Sequence, residues 1–193
     1  MQFKNNFKKQ LSDNLDTHAK LIKIYKDIDF SVELIFKSLK NGGKILFCGN
    51  GGSAADAQHL SAEFLIRLRP KINRRPLPAL TLAQDTSTLT ACANDYNFKY
   101  IFSRPFQAIA NPKDILFVIS TSGNSQNIYE VLKVARKKKI KTIGLLGASG
   151  GKCLKLCDQK ILVPSNVTAR IQECHIFIGH FILEQVENLI IKK

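Results

Sequence analysis

Residues 44–63, KILFCGNGGSAADAQHLSAE, decide how this chain is read. Ile45 to Cys48 is a short apolar run of the kind that forms a buried strand. It breaks into Gly49-Asn50-Gly51-Gly52-Ser53, and a helix-like segment follows. Strand, glycine turn and helix N-terminus together leave backbone N–H groups free to attract an anion. His59 and Glu63 stand at i and i+4, so they share one face of that helix. Each sign also has an ordinary reading. Glycines make tight turns, and His/Glu pairs at this spacing decorate solvated helices. The rest of the chain has to weigh these alternatives.

Working outward, apolar runs alternate with helical patterns. Strands are expected at 45–48, 77–82, 115–119, 140–146 and 160–163, and helices at 53–68, 86–93, 98–110, 124–138 and 168–191. Apolar strands alternating with helices predict an α/β fold with a mostly parallel sheet covered on both faces. Ligands of such sheets sit at the carboxyl ends of the strands. Ahead of this core, residues 4–39 read as two helices, broken near Asp29-Phe30-Ser31 and stopped by Asn41-Gly42-Gly43. This pair is expected to pack outside the sheet, where it offers an oligomer surface. One domain is expected over 1–193, with N-terminal helices in 1–40 and the α/β core in 44–191.

Composition narrows the classes. The 193 residues are 45% hydrophobic and 23% charged, ordinary for a globular chain with a sizeable core. No stretch offers about 18 continuous apolar residues, so no membrane span is expected. The basic start, MQFKNNFKKQ, has no apolar segment after it, which argues against a signal peptide and for the cytoplasm. Cys48, Cys92, Cys153, Cys157 and Cys174 are odd in number and form no CxxC pair. They read as reduced core thiols rather than zinc ligands. The net charge of +14 is spread along the chain without interleaved aromatics. That favours a solvated basic surface, or attraction of an anionic substrate, over nucleic acid.

The third strand ends in a second polar turn, Ser120-Thr121-Ser122-Gly123-Asn124-Ser125, before another helix. Hydroxyls and N–H groups together can surround a phosphate. A single helix cap needs one such residue, and four lie here within six positions. Neither a Walker loop nor GxGxxG is present, which disfavours nucleotides. The apolar C-terminal helix carries Gln172, His175 and His180. Positions 172 and 180 lie about 80° apart on a helix and can face one cavity. If His59 and Glu63 face it too, two histidines, a glutamate and a glutamine oxygen make an N/O set that suits zinc. The same Glu and His could shuttle protons instead.

GNGGSAADAQH with Glu63, then ANDY (93–96), STSGNS (120–125) and RIQECH…GH (170–180) resemble the phosphoheptose isomerases, sugar-isomerase (SIS) domain proteins. The resemblance runs over nearly the whole chain. It implies a flavodoxin-like sheet of five strands and conversion of sedoheptulose 7-phosphate to glycero-manno-heptose 7-phosphate for bacterial lipopolysaccharide or capsule. It implies substrate contacts from Asn50, Gly51 and Gly52 with Ser53 beside them, and from Arg67, Glu63 and Gln172. Asn94 and Asp95 would hold sugar hydroxyls, and Ser120, Thr121, Ser122 and Ser125 the phosphate. Zinc would be bound by His59, Glu63, Gln172 and His180, with Glu63 and His180 the acid/base pair. The family forms homotetramers with sites between subunits. Leu65-Ile66-Arg67 stands where relatives often have Thr-Gly-Arg, Ala169 where some have Asp, and the loop 69–78 is unusually basic. Two other readings remain open at this point. One is a non-enzymatic SIS protein that binds the replication initiator; the other is an isomerase of a different sugar phosphate, such as a pentose 5-phosphate.

Overall fold

A computed structural model describes residues 2–83 and 85–192. Two N-terminal helices, α1 (Gln2–Ala19) and α2 (Tyr25–Lys40), are joined by a 3-10 turn at Lys20–Ile24. The core then runs β1 (Ile45–Gly49), α3 (Gly52–Leu65), β2 (Ala79–Thr81), α4 (Thr86–Asp95), α5 (Ser103–Ile109) and β3 (Ile115–Ser120). It continues with α6 (Gln126–Lys137), β4 (Lys141–Gly147), β5 (Gln159–Val163) and α7 (Thr168–Ile191). The five strands are all parallel in the order β2-β1-β3-β4-β5, the flavodoxin-like doubly wound order.

Strand side chains alternate between two cores, as the period of two requires. Ile45, Phe47, Phe117, Ile143 and Ile161 face α2, α3 and α7. Leu46, Cys48, Leu116, Val118 and Leu146 face the other way, toward α5 and α6. All five cysteines are buried and unpaired, as expected of reduced core thiols. β1 and β3 run side by side, Gly49 opposite Ile119. Their following helices leave for opposite faces, so the switch point opens between the two polar turns. α7 is long and apolar enough to cross a membrane. Here Ile171, Cys174, Ile178 and Ile182 are instead packed into the first core.

Several boundaries differ from the sequence reading, each for a local reason. No break occurs at Asp29-Phe30-Ser31: without Gly or Pro the helix runs on, and Ser31 Oγ bonds back to the Asp27 carbonyl at 2.8 Å. The interruption falls at the 3-10 turn instead. The helix expected over 98–110 is split into a 3-10 turn, Phe98–Tyr100, and α5. A continuous helix would bury Pro105 in its interior, against the carbonyl four residues before. β2 is three residues long because Pro78 has no N–H for the ladder and the Leu77 N–H goes to the Phe64 carbonyl. α3 stops at Leu65 rather than 68, where the Arg74 guanidinium takes its last carbonyls.

Candidate active site

α3 begins at the switch point and carries His59 and Glu63 one turn apart. α7 lies beside it. The two helices meet at Gly179, where an added methyl would come within 2.6 Å of Leu60 Cδ1. This close approach brings His180 to α3. His180 Nε2 lies 2.9 Å from His59 Nε2. His59 Nε2 lies 3.4 Å from Glu63 Oε1, and His180 Nε2 3.9 Å from Glu63 Oε2. The three ligating atoms fall within 4.8 Å of one another. A zinc tetrahedron with bonds of about 2.0–2.1 Å has edges of about 3.3 Å, and these separations scatter around that value. Among the described residues Glu63 Oε2 is buried without a hydrogen-bond partner, an orphaned acceptor of the kind a cation satisfies. The donor set therefore fits zinc.

Gln172 lies about two turns earlier on α7. Its amide packs on Gly52, where a Cβ would come within 2.4 Å of Nε2. α7 thus touches α3 at its glycine start and again at His59. His175 is not part of this group. It is fully buried, and desolvation pushes its pKa down to about 4, partly opposed by the Leu146 carbonyl, so it is a neutral core residue.

The glycine turn and the serine turn meet over β1 and β3. Asn50 and Asn127 exchange two amide hydrogen bonds, at 2.9 and 2.8 Å. Ser120 Oγ accepts from the Gly123 N–H and Ser122 Oγ from the Asn124 N–H. Ser125 is the N-cap residue of α6, yet its hydroxyl makes no capping bond. Asn50, Gly51, Ser125 and Asn127 line a cleft of about 550 Å³ with Phe98 and Lys99. A smaller cavity of about 180 Å³ is lined by Thr121, Ser122, Ser149 and Thr168. Ser53 is buried beneath the glycine turn.

The remaining expected residues are not drawn into this group within one chain. Asn94 and Asp95 end α4 on an exposed surface, joined by a 2.9 Å bond from Asn94 Nδ2 to Asp95 Oδ1. Arg67 is exposed just past α3. The His59 and His180 side chains are themselves 48% and 39% exposed, so the cluster opens to the surface. Sequence reasoning missed Asn127 and Arg74. Asn127 follows Ser125 by two positions and carries no motif signal beyond a polar residue in a helix start. Arg74 was hidden among the other cations of its loop.

Comparison with known proteins gives the family and the fold. Residues 4–147 match the SIS domain. A phosphoheptose isomerase of Paramagnetospirillum magneticum is 48% identical over 188 residues, 97% of each chain. The solved phosphoheptose isomerase of Neisseria gonorrhoeae superposes with a TM-score of 0.90 at 37% identity, covering 96% of this chain and 99% of that one. The Francisella tularensis phosphoheptose isomerase gives 0.92 at 33% identity, covering 97% and 100%. The chain belongs to the phosphoheptose isomerases of the SIS-domain family.

Proposed function

We propose that this protein interconverts D-sedoheptulose 7-phosphate and D-glycero-D-manno-heptose 7-phosphate through a cis-enediol. The observation that carries this reading is the convergence of His59, Glu63 and His180 from two helices within 4.8 Å. A binding scaffold has no need of all three at one point. The activity named for its relatives supports the choice of substrate.

The chain's own groups have these roles. Glu63 takes a proton from C1 of the ketose. The C–H electron pair becomes the C1–C2 double bond, and the C2 carbonyl oxygen gains the negative charge and then a proton. His180 returns a proton to C2, while the C1 hydroxyl loses its own and becomes the aldehyde oxygen. Ser120, Thr121, Ser122 and Ser125 hold the phosphate through hydroxyls and N–H groups. Asn50, Gly51 and Gly52, with Ser53 beside them, position the sugar, helped by Arg67, Asn94, Asp95 and Gln172. His59, Glu63, Gln172 and His180 would hold zinc, which when bound polarises a carbonyl and stabilises negative oxygen.

The whole of 1–193 acts as one SIS domain, in homotetramers whose sites lie between subunits. Exposure of Arg67, Asn94, Asp95 and the histidine cluster in a single chain supports this, since a neighbour can complete and close the site. The product serves bacterial lipopolysaccharide or capsule, and the enzyme works in the cytoplasm.

Glu63→Gln and His180→Gln are each expected to lower turnover about 100-fold or more. Steady-state rates on sedoheptulose 7-phosphate, with a pentose 5-phosphate in parallel, check this. Near-wild-type rates in either variant remove that residue from the chemistry. A wild-type protein inactive on the heptulose with and without zinc removes the reading.

A further inference from the structure

The basic loop 69–78 places no side chain in the His59–Glu63–His180 cluster. Two of its arginines converge on one carboxylate, Glu187 of α7, which is fully buried. Arg74 Nε donates to Glu187 Oε1 at 2.6 Å, and Arg69 Nε donates to Oε2 at 3.0 Å. The Arg74 side chain is 1% exposed. A buried ion pair is a weak stabiliser by itself, because desolvation offsets the attraction. What the guanidinium does with its other nitrogens is more telling.

Arg74 Nη2 donates to the Glu63 carbonyl at 2.7 Å. Nη1 donates to the carbonyls of Phe64 at 3.0 Å and Arg75 at 3.1 Å. Glu63 and Phe64 lie in the last turn of α3, where carbonyls have no helical partner. Arg74 therefore closes the turn that carries Glu63. The Glu63 carboxylate has no comparable tether. Oε2 accepts no hydrogen bond from the described residues, and Oε1 lies 3.4 Å from His59. Its position is set by the backbone turn, and the turn is held by Arg74. Glu187 completes the connection. It follows His180 by seven residues, about two turns along the same face of α7. The end of α3 is thus tied to the helix that bears His180.

We propose that Arg74, gripped by Glu187, is a positioning residue that fixes the Glu63 carboxylate relative to His180. The proposal rests on the reading of these two as reacting pair and metal ligands. Arg69 is its internal control. It grips the same Glu187, and also Glu184 and Asn188, but makes none of the bonds to α3 carbonyls.

Arg74→Lys keeps a cation beside Glu187, but one ammonium cannot span Glu187 and two carbonyls as a guanidinium fork does. Expected for Arg74→Lys is a kcat about 30-fold lower on sedoheptulose 7-phosphate, with KM within about threefold, and zinc affinity about tenfold weaker when titrated with the metal alone. Arg69→Gln loses Tm to a similar degree yet keeps kcat and zinc affinity within about threefold. Equal effects from the two variants overturn the proposal, as does an Arg74→Lys protein within threefold (about the scatter of such comparisons) of wild type in both readouts. Should Arg74→Lys fail to fold, Glu187→Gln carries the test. It must weaken both kcat and zinc binding by about fivefold, and retention of both overturns the idea. The zinc titration keeps the two readings apart. A wild type without turnover sinks the isomerase reading, while the contrast in zinc affinity still decides the positioning role. A wild type that neither turns over nor binds zinc overturns both.

Discussion

The two turns at the switch point are built from different material. After β1 the turn is backbone. Gly51 takes φ +56°, Gly52 admits the Gln172 amide, and the N–H groups of Ser53, Ala54 and Ala55 already bond to the carbonyls of Asn50 and Gly51. After β3 the turn is side chain. Ser120 and Ser122 hydroxyls brace its amides, and the Ser125 hydroxyl is not used to cap α6. The amides of Ser53, Ala54 and Ala55 are thus already taken, whereas the serine turn adds side-chain hydroxyls to its own helix start. Glycines here mark close approach, and under the proposed function the hydroxyls are the groups that take the phosphate.

The largest effect that tests this contrast comes from one methyl group at each turn. A Cβ at Gly123 would fall 2.0 Å from the Gly150 carbonyl oxygen, at a backbone φ of +62°. Backbone cannot step aside, so Gly123→Ala is expected to cost about 2–4 kcal/mol of stability and nearly all turnover. At Gly52 the added methyl meets only the end of the Gln172 side chain. Gly52→Ala should cost under about 1 kcal/mol of stability and lower turnover roughly tenfold by displacing that amide. Urea unfolding and initial rates on both variants decide it. Equal stability losses would break the comparison.

A smaller effect separates the hydroxyls. Ser125→Ala should raise KM for the sugar phosphate about tenfold with kcat within about threefold, the mark of lost uniform binding. Ser53→Ala, behind the glycine turn, should change KM less than about threefold. A reversed order would move the phosphate to the β1 turn.

Much of this was legible in the sequence because it is local. Strand periodicity, the α7 bounds and the two turns depend on neighbours a few residues away. The His59–Glu63 pair was legible for the same reason. Its approach to His180 was a conditional expectation, since it depends on α7 meeting α3 at Gly179, 119 positions after Leu60. What was not legible was which cation of a basic loop is buried. Arg74 and Arg75 are adjacent and alike in sequence, but only Arg74 finds Glu187 and the end of α3. The short β2 and the break before α5 were misread because prolines act on donors and ring contacts that apolar pattern ignores.

The smallest expected effect concerns how the two turns act together. Asn50 and Asn127 form a closed amide pair across the switch point, and Asn127 is 3% exposed. Each amide satisfies the other, so removing one leaves the second with an unmet group. If the turns worked independently, Asn50→Ala would act on the sugar end alone, and Asn127→Ala would do no more than loosen α6. The reciprocal pair implies that either substitution misplaces both. In a double-mutant cycle on kcat/KM, the two losses should fall short of additivity by about 1 kcal/mol, roughly fivefold. Additive losses would mean that sugar and phosphate are held by separate devices that only happen to adjoin. A coupled pair means that the distance between them is part of what the enzyme recognises, because Asn127 carries the spacing from one strand end to the other.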